Sequence, residues 1–249
     1  MTVVTFRVIR RSITAAFIHR TRTVEGKFMS HPQTPSAWSW RLNWDAIRHD
    51  LTIGSCPHGP ADLDRLQAEA RISAVLSLQH DECLEKLEID YPRLARHGRA
   101  QGLRMERSPM RDFDPEDQRR RLPEAVRILH ELLSQGHRVY LHCTAGINRS
   151  SLAAVAYLTW IEGQPLDDAM ALLQRARPEV SPYWDAYEGC RRDLIAPHAH
   201  RIRQRIAELS RQNPGQSAEA HRSRAEREVI RAVLIGRRRQ ARCADPRPF

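Results

Sequence analysis

Short apolar runs recur along the chain and alternate between the period of a strand and the period of a helix. Five segments have the length and composition of strands. The continuously apolar RISAVLSL is typical of a strand covered on both faces. The predicted strands are 38–44, 50–55, 71–78, 103–109 and 137–142, with polar DAIRH connecting the first two.

Helical periodicity occupies most of the segments between these strands. The charged stretch 81–101, interrupted by Pro92, is expected to be helical or irregular. The predicted helices are 60–70, 123–134, 150–163, 165–178 and 182–195. Strands that alternate with helices, with apolar central strands, predict an α/β fold whose central, mostly parallel sheet carries helices on both faces.

Composition divides the chain into three regions. Residues 1–28 form a predicted extension with no acidic residue before Glu25, a composition that organelle transit peptides share; the alternative is a plain upstream extension. Residues 29–196 are the predicted folded domain. Residues 197–249 are rich in Arg, Ala, Glu and Gln and predict one or two basic amphipathic helices that end in disorder.

The net charge of +10 belongs to the two ends of the chain. Residues 1–28 carry +5 and residues 197–249 carry +8, whereas the 29–196 region carries −3. No RNA- or DNA-binding motif accompanies the basic residues, so a nucleic-acid partner is not expected. A polyanion that binds the basic tail remains an alternative function.

The cysteines suggest neither a metal site nor a disulfide framework. There are five, in no paired or Cys/His spacing, so we expect no metal, no other cofactor and a reducing, cytoplasmic compartment unless residues 1–28 direct the chain to an organelle. No apolar run has the length that spans a bilayer, so we expect a soluble protein. The sequence does not specify an oligomeric state.

The segment YLHCTAGINRSSLAAVAYL at 140–158 places Cys143 and Arg149 in one loop between a strand and a helix. Such a loop points several backbone N–H groups at one spot, and the helix dipole adds positive charge there. Gly146 permits the turn, and the planar guanidinium of Arg149 matches two phosphate oxygens. We call residues 143–149 the phosphate loop.

Within the phosphate loop, Cys143 is the candidate nucleophile. The N–H groups and Arg149 should lower the pKa of its thiol below the usual value of about 8.5. Ser150 could donate a hydrogen bond to the thiolate, and His142 is expected to order the loop. A lone cysteine is usually a small buried hydrophobe, and a lone arginine usually faces solvent. Their joint occurrence with a glycine in a strand–helix loop favours the phosphate site.

Cleavage of a phosphate ester also needs an acid for the leaving oxygen. The best candidates lie in SPMRDFDPED, a loop that follows a predicted strand, where Asp112 and Asp114 are both available. For at least one of them, helix capping or simple solvation is the expected role. Phe113 between them is either a core residue or a hydrophobic wall for the substrate.

HCTAGINRS resembles the HCxxGxxR(S/T) signature of the cysteine-dependent dual-specificity phosphatases. The resemblance extends over about 38–196 and is strongest to the glucan-phosphatase branch, the plant starch phosphatases and laforin, through IRHDLTIGSC, LSLQHDECLEKLEIDYP and RDFD. It implies the cysteine-phosphatase fold, with Cys143 as nucleophile, Arg149 as phosphate clamp and Asp112 as general acid. Ser150 matches the hydroxyl after the arginine. The implied phosphate-binding positions are Thr144, Ala145, Gly146, Ile147, Asn148 and Arg149.

The resemblance implies a phosphomonoester hydrolase that works through a phosphocysteine. Its substrate would be protein phosphotyrosine or phosphoserine/threonine, or a phosphoglucan. Asn148 stands where glucan phosphatases commonly have glycine, and Phe113 matches one aromatic of their glucan channel. Tyr183, Trp184 and Tyr187 either add aromatic surface or pack the last predicted helix. The alternative is a non-catalytic protein that binds phosphate, or a polyanion through its basic tail.

Overall fold

A computed structural model of the chain describes residues 41–242, with side chains through residue 236. Its centre is a five-stranded sheet in the order β1-β2-β5-β3-β4, in which β1 and β2 are antiparallel and every other pair is parallel. The predicted α/β class is therefore confirmed. The strands are β1 (Trp44–Arg48), β2 (Leu51–Gly54), β3 (Ala74–Gln79), β4 (Arg104–Met110) and β5 (Val139–His142).

Helices fill the connections between the strands and continue beyond the sheet. A π-helical segment, Tyr157–Ile161, extends α5, and a short 3-10 turn precedes α8. The α-helices are α1 (Pro60–Glu69), α2 (Asp81–Lys86), α3 (Tyr91–Ala100), α4 (Pro115–Ser134), α5 (Arg149–Ala156), α6 (Leu166–Ala176), α7 (Trp184–Ile195), α8 (Ala199–Gln212) and α9 (Ala218–Arg242).

The central strand β3 is buried along its whole length, as its apolar sequence predicts. Leu76 and Leu78 join a core cluster with Val126 of α4 and Leu152 of α5. Val75 is equally buried but lies outside that cluster. Because successive strand residues point to opposite faces, both faces of β3 are covered, and the carboxyl ends of β2, β5 and β3 meet at one edge.

Two boundaries differ from the sequence prediction. DAIR, expected to be a connector, belongs to edge strand β1, where Ile47 is the buried residue and the others are partly or fully exposed. An edge strand needs little apolar sequence because one side of it faces water. Helix α4 starts at Pro115, eight residues before the predicted start, and retains Pro123 inside it. Asp114 caps this helix by accepting a hydrogen bond from the Asp117 N–H (2.9 Å).

The basic region beyond residue 197 forms two packed helices as far as it is described. Ile230 and Leu234 of α9 belong to the same core cluster as α4 and α5, and Arg231 donates to the carbonyl of Ile161 (2.8 Å). Within the described residues, no helix combines the length and hydropathy that crossing a membrane requires. The predicted extension 1–28 and residues 38–40 of predicted strand 38–44 lie outside the described residues. The described part of that predicted strand is wrong except at Trp44, since residues 41–43 precede β1 without regular structure.

Candidate active site

The phosphate loop leaves β5 at the edge where the carboxyl ends of the four parallel strands lie, and it ends at the first residue of α5. This is the edge where open α/β sheets bind ligands. Asn148 precedes α5 without a side-chain cap for the helix. The N–H groups of the first turn of α5 are therefore directed at the space above the loop.

The carbonyl groups of five consecutive loop residues, 144–148, are all held by donors around the loop. In a trans peptide the N–H of the next residue points the opposite way, so the N–H groups of residues 145–149 converge on the inside. The donors are the N–H of Cys56 to the carbonyl of Thr144 (2.9 Å), Arg177 Nη2 to that of Ala145 (2.8 Å), Arg177 Nε to that of Gly146 (2.9 Å), the N–H of Ser181 to that of Ile147 (3.0 Å) and the N–H of Leu152 to that of Asn148 (2.9 Å).

Arg177 is the residue of this site that the sequence analysis missed. It lies just after α6, is 2% exposed, and binds Asp45 Oδ2 (2.7 Å) and Asn43 Oδ1 (2.6 Å) as well as the two loop carbonyls. Its hydrogen-bond partners lie 31 to 134 residues away in the chain. The sequence offered only a basic residue at the end of an amphipathic helix, which is ordinarily a surface feature.

Asn148 fixes the far side of the phosphate loop. Its Nδ2 donates to the carbonyl of Ser181 (3.0 Å), while the Ser181 N–H donates to Ile147. The side chain of Ser151 donates to the carbonyls of Ile147 (2.5 Å) and Asn148 (2.8 Å). The residue that departs from the glycine of the resembled branch thus ties the loop to the segment before α7.

Gly146 sits where a side chain has no room. Its φ is +74°, and a Cβ there would lie 2.5 Å from the backbone C and O of Gly54 on β2. The glycine therefore serves both the left-handed turn and the close approach of two backbones. Gly136 has a similar φ of +82°, but a Cβ there would have no neighbour within 4 Å.

Gly146→Ala should lower the free energy of unfolding by about 3 kcal/mol, because backbone strain and overpacking add. Gly136→Ala carries the strain alone and should cost about 1 kcal/mol. Urea denaturation of both variants measures the difference. Equal losses would show that the contact with Gly54 is easily relieved.

Cys143 is the one buried cysteine of the described chain whose surroundings favour the thiolate. Burial raises the pKa of its thiol, but the charge of Arg149, the hydroxyl of Ser150 and the N–H groups of Ser150 and Gly146 together outweigh burial, and the pKa is lowered. The Cys143 Sγ lies 3.5 Å from the Ser150 Oγ. By contrast, burial raises the pKa of Cys56 and of Cys190 to about 12. The surroundings of the phosphate loop thus lower the pKa of Cys143, whereas the pKa of each of the two other buried cysteines is raised.

The guanidinium of Arg149 is 1% exposed and reaches across the site. Its Nη2 donates to Asp112 Oδ2 (2.7 Å) and to Thr144 Oγ1 (3.0 Å), and its Nη1 donates to the carbonyl of Met110 (3.0 Å) and to Cys83 Sγ (3.4 Å). The structure therefore brings Cys143, Arg149 and Asp112 together, although Asp112 lies 31 residues before the cysteine.

The two candidate acids have separate environments. Asp112 pairs with Arg149, whereas Asp114 caps α4. Phe113 between them is 82% exposed and has a φ of +56°, a conformation that costs a non-glycine residue energy. It is therefore not a core residue, and a strained, exposed aromatic beside Asp112 is available for contact with a substrate.

His142, the last residue of β5, orders the start of the phosphate loop. Its Nδ1 donates to the carbonyl of Cys143 (2.9 Å), and its ring stacks on Tyr140 at 5.6 Å. Among the described residues, its buried Nε2 has no hydrogen-bond partner. A proton there would be buried without an acceptor, and burial accordingly lowers the pKa of His142 from 6.5 to about 4.

The lowered pKa of His142 predicts a loss of stability in acid. Between pH 6.5 and about 4 the unfolded chain takes up a proton at this position and the folded chain does not, so the free energy of unfolding falls as the pH falls. The fall attributable to His142 should be about 3 kcal/mol over this range. Denaturation of wild type and His142→Asn across that range measures it. An identical pH dependence in both proteins would contradict the assignment.

Residues 60–186 of the chain match a family model described as "Dual specificity phosphatase, catalytic domain". The matched range includes the phosphate loop and Asp112. The chain belongs to the dual specificity phosphatase family. Arg177, which the sequence analysis missed, lies within the matched range, whereas α8 and α9 lie beyond it.

Curated relatives agree with the family. The chain is 31% identical over 175 residues to phosphoglucan phosphatase DSP4, amyloplastic, of Castanea sativa, covering 70% of this chain and 45% of that protein. It is 28% identical over 163 residues to laforin of Mus musculus, covering 61% and 49%. The chain thus spans about half the length of these relatives.

Solved structures agree with the fold. A crystal structure of kinase associated phosphatase, with serine in place of its catalytic-site cysteine, is similar at a TM-score of 0.50 and 18% identity. The similarity covers 66% of this chain and 99% of that one. The family's α/β fold, predicted from the phosphate-loop signature, is confirmed.

Proposed function

We propose that the protein is a phosphomonoester hydrolase that acts through a phosphocysteine on Cys143. The observation that carries this proposal is the position of the Cys143 thiol beside Arg149 and the convergent N–H groups of residues 145–149, which lower its pKa. A thiolate in a phosphate-binding loop is a nucleophile directed at phosphorus. The family to which the chain belongs supports the same chemistry.

In the first step the thiolate forms an S–P bond as the bond between phosphorus and the leaving oxygen breaks. The carboxyl group of Asp112 gives its proton to that oxygen. The inward N–H groups and Arg149 stabilise the charge on the three remaining phosphate oxygens. The products are a phosphocysteine and the free alcohol.

In the second step water attacks the phosphocysteine, and the Asp112 carboxylate accepts a proton from it. The S–P bond breaks, and inorganic phosphate and the thiolate are released. The Ser150 hydroxyl, 3.5 Å from the sulfur, donates to the departing thiolate. Asp112 ends the cycle protonated, as it began, and no metal is needed to balance either step.

The ion pair between Arg149 and Asp112 describes the enzyme without substrate. A bound phosphate presents two oxygens to the planar guanidinium and takes the place of the carboxylate. The side chain of Asp112 is 28% exposed, so it has room to turn toward the leaving oxygen. Substrate binding therefore fills the clamp and releases the Asp112 carboxylate, which takes up a proton from solvent to become the acid of the first step.

For the substrate we propose a phosphorylated glucan, with phosphoprotein as the competing class. Phe113 and Trp184 are the exposed large hydrophobic side chains of the described chain. Phe113 follows Asp112, which binds Arg149, and Trp184 comes three residues after Ser181, which binds Asn148. Exposed aromatic rings suit the apolar faces of sugar rings. Tyr187, in contrast, is buried against Trp160 at 4.9 Å and is packing. The name of the Castanea sativa relative supports the glucan class.

The test is a substrate panel with the purified protein in the presence of a chelator. Wild type should hydrolyse an aryl phosphate without metal and should release phosphate from phosphorylated starch or glycogen faster than from phosphotyrosine peptides. Phe113→Ala and Trp184→Ala should lower glucan turnover and leave aryl phosphate turnover near that of wild type. The reverse preference would assign the protein to phosphoprotein, and a requirement for divalent metal would exclude the proposed mechanism.

Binding of a polyanion by the basic tail is the second candidate, and the packing of α8 and α9 weakens it. Arg205 pairs with Glu228 (2.6 Å) and Glu208 (2.9 Å), and Arg224 pairs with Glu228 (3.0 Å). If the tail bound a polyanion, the affinity would fall steeply with added salt. The cytoplasmic location remains a prediction; the name of the Castanea sativa relative places that protein in the amyloplast.

A further inference from the structure

Arg177 is a buried guanidinium whose hydrogen bonds are only partly accounted for by ion pairs. A buried guanidinium is costly unless its N–H groups are satisfied, and a carboxylate is the usual partner. Asp45 provides one at 2.7 Å, and Glu179 lies at 3.6 Å. Two of the remaining contacts of Arg177 instead go to consecutive carbonyls of the phosphate loop, those of Ala145 and Gly146.

These two carbonyls determine where two N–H groups point. The carbonyl of Ala145 shares its peptide plane with the N–H of Gly146, and that N–H is bonded to Cys143. The carbonyl of Gly146 shares its plane with the N–H of Ile147. An arginine on the outside of the loop therefore orients two of the five inward N–H groups, one of which stabilises the thiolate.

We propose that Arg177, held by Asp45 and Asn43, is a positioning residue that keeps the phosphate loop in its oxyanion-binding conformation. This deepens the proposed function and rests on it. The planar fork of arginine is required, because Nε and Nη2 each serve one carbonyl while Nη1 is bound to Asp45. A lysine keeps the charge but does not span both carbonyls and the carboxylate.

Arg177→Lys is compared with wild type in three measurements. Hydrolysis of an aryl phosphate gives kcat and KM, calorimetric titration with tungstate gives oxyanion affinity, and alkylation of Cys143 by iodoacetamide across pH gives the titration midpoint of the thiol. We expect tungstate to bind about tenfold more weakly, as for the loss of one charge-assisted hydrogen bond. We also expect the alkylation midpoint to move to higher pH, because the N–H of Gly146 no longer faces the sulfur.

Two controls separate positioning from stability. Arg191→Lys alters another arginine with two ion pairs, to Glu188 (3.0 Å) and Glu226 (2.5 Å), away from the loop, and should leave tungstate affinity and the midpoint unchanged. Asp45→Ala removes a partly exposed support of Arg177 and should shift both readouts in the same direction by less. It keeps the proposal testable if Arg177→Lys does not fold.

A lower melting temperature for Arg177→Lys, with tungstate affinity and alkylation midpoint equal to wild type, would reduce Arg177 to a stabilising residue and overturn the proposal. Wild-type tungstate affinity and alkylation midpoint in Arg177→Lys at an unchanged melting temperature would also overturn it, since charge alone would then suffice. Tungstate binding and alkylation do not require turnover. A wild type without phosphatase activity would therefore count against the proposed function while the role of Arg177 is still measured.

Discussion

Cys143→Ser should lose hydrolysis of an aryl phosphate by at least about a thousandfold in kcat. Serine keeps the size of the side chain, but at neutral pH it carries no ionised oxygen to attack phosphorus. The loop that binds the phosphate is otherwise unchanged, so tungstate should still bind. Steady-state kinetics and calorimetric titration on the same preparation measure both properties.

Cys190→Ser is the matched control for this substitution. Cys190 is also buried, but burial raises its pKa to about 12, and it lies on α7 in the core. Its replacement should change stability and leave kcat per folded molecule near that of wild type. Retention of activity in Cys143→Ser, or an equal loss in both variants, would contradict the assignment of the nucleophile.

Asp112→Asn should lower kcat by on the order of 10²–10⁴ for substrates whose leaving oxygen needs a proton, such as a sugar phosphate. The loss of kcat/KM, which reports the first step, should be much smaller for an aryl phosphate with an acidic phenol, because that phenolate leaves without a proton. A series of aryl phosphates of rising phenol pKa measures this dependence. The variant should show a steeper decline of kcat/KM along the series than wild type.

Asp114→Asn is the control, since asparagine is as good a helix cap as aspartate and leaves α4 in place. Its kcat should match wild type along the whole series. If Asp114→Asn instead reproduced the leaving-group dependence expected for Asp112→Asn, the general acid would be the helix cap and the pairing of Asp112 with Arg149 would be inhibitory only.

Much of the fold was predictable because its signals are local. RISAVLSL is mostly apolar because β3 is covered on both faces, and Pro60 marks the start of α1. The two boundary errors have local causes as well. Edge strand β1 has only Ile47 buried, and Pro123 suggested a helix start although Pro115 with the cap of Asp114 provides the real one.

The candidate site was predictable where its residues are close in sequence. Cys143, Gly146 and Arg149 lie within one loop, and their types and spacing indicate phosphate chemistry. The choice between Asp112 and Asp114 could not be made from the residues without the resemblance, because it depends on which carboxylate reaches Arg149 and which caps α4.

Arg177 was beyond sequence reasoning. Its partners come from β1, the segment before β1 and the phosphate loop, and only the folded chain brings them together. The charge of the tail was equally uninformative, because the sequence does not show which arginines pair within the fold. Burial and long-range pairing, and not residue type, determine the roles of these cations.

The central claim is that phosphate passes through Cys143, and capture of the covalent intermediate tests it most directly. Asp112→Asn mixed with an aryl phosphate and quenched in acid should accumulate the intermediate, because the first step proceeds with a good leaving group while water is poorly activated. Mass spectrometry should find one phosphoryl group on the peptide that contains Cys143. Turnover of the aryl phosphate without that adduct, or a phosphoryl group on another residue, would contradict the account.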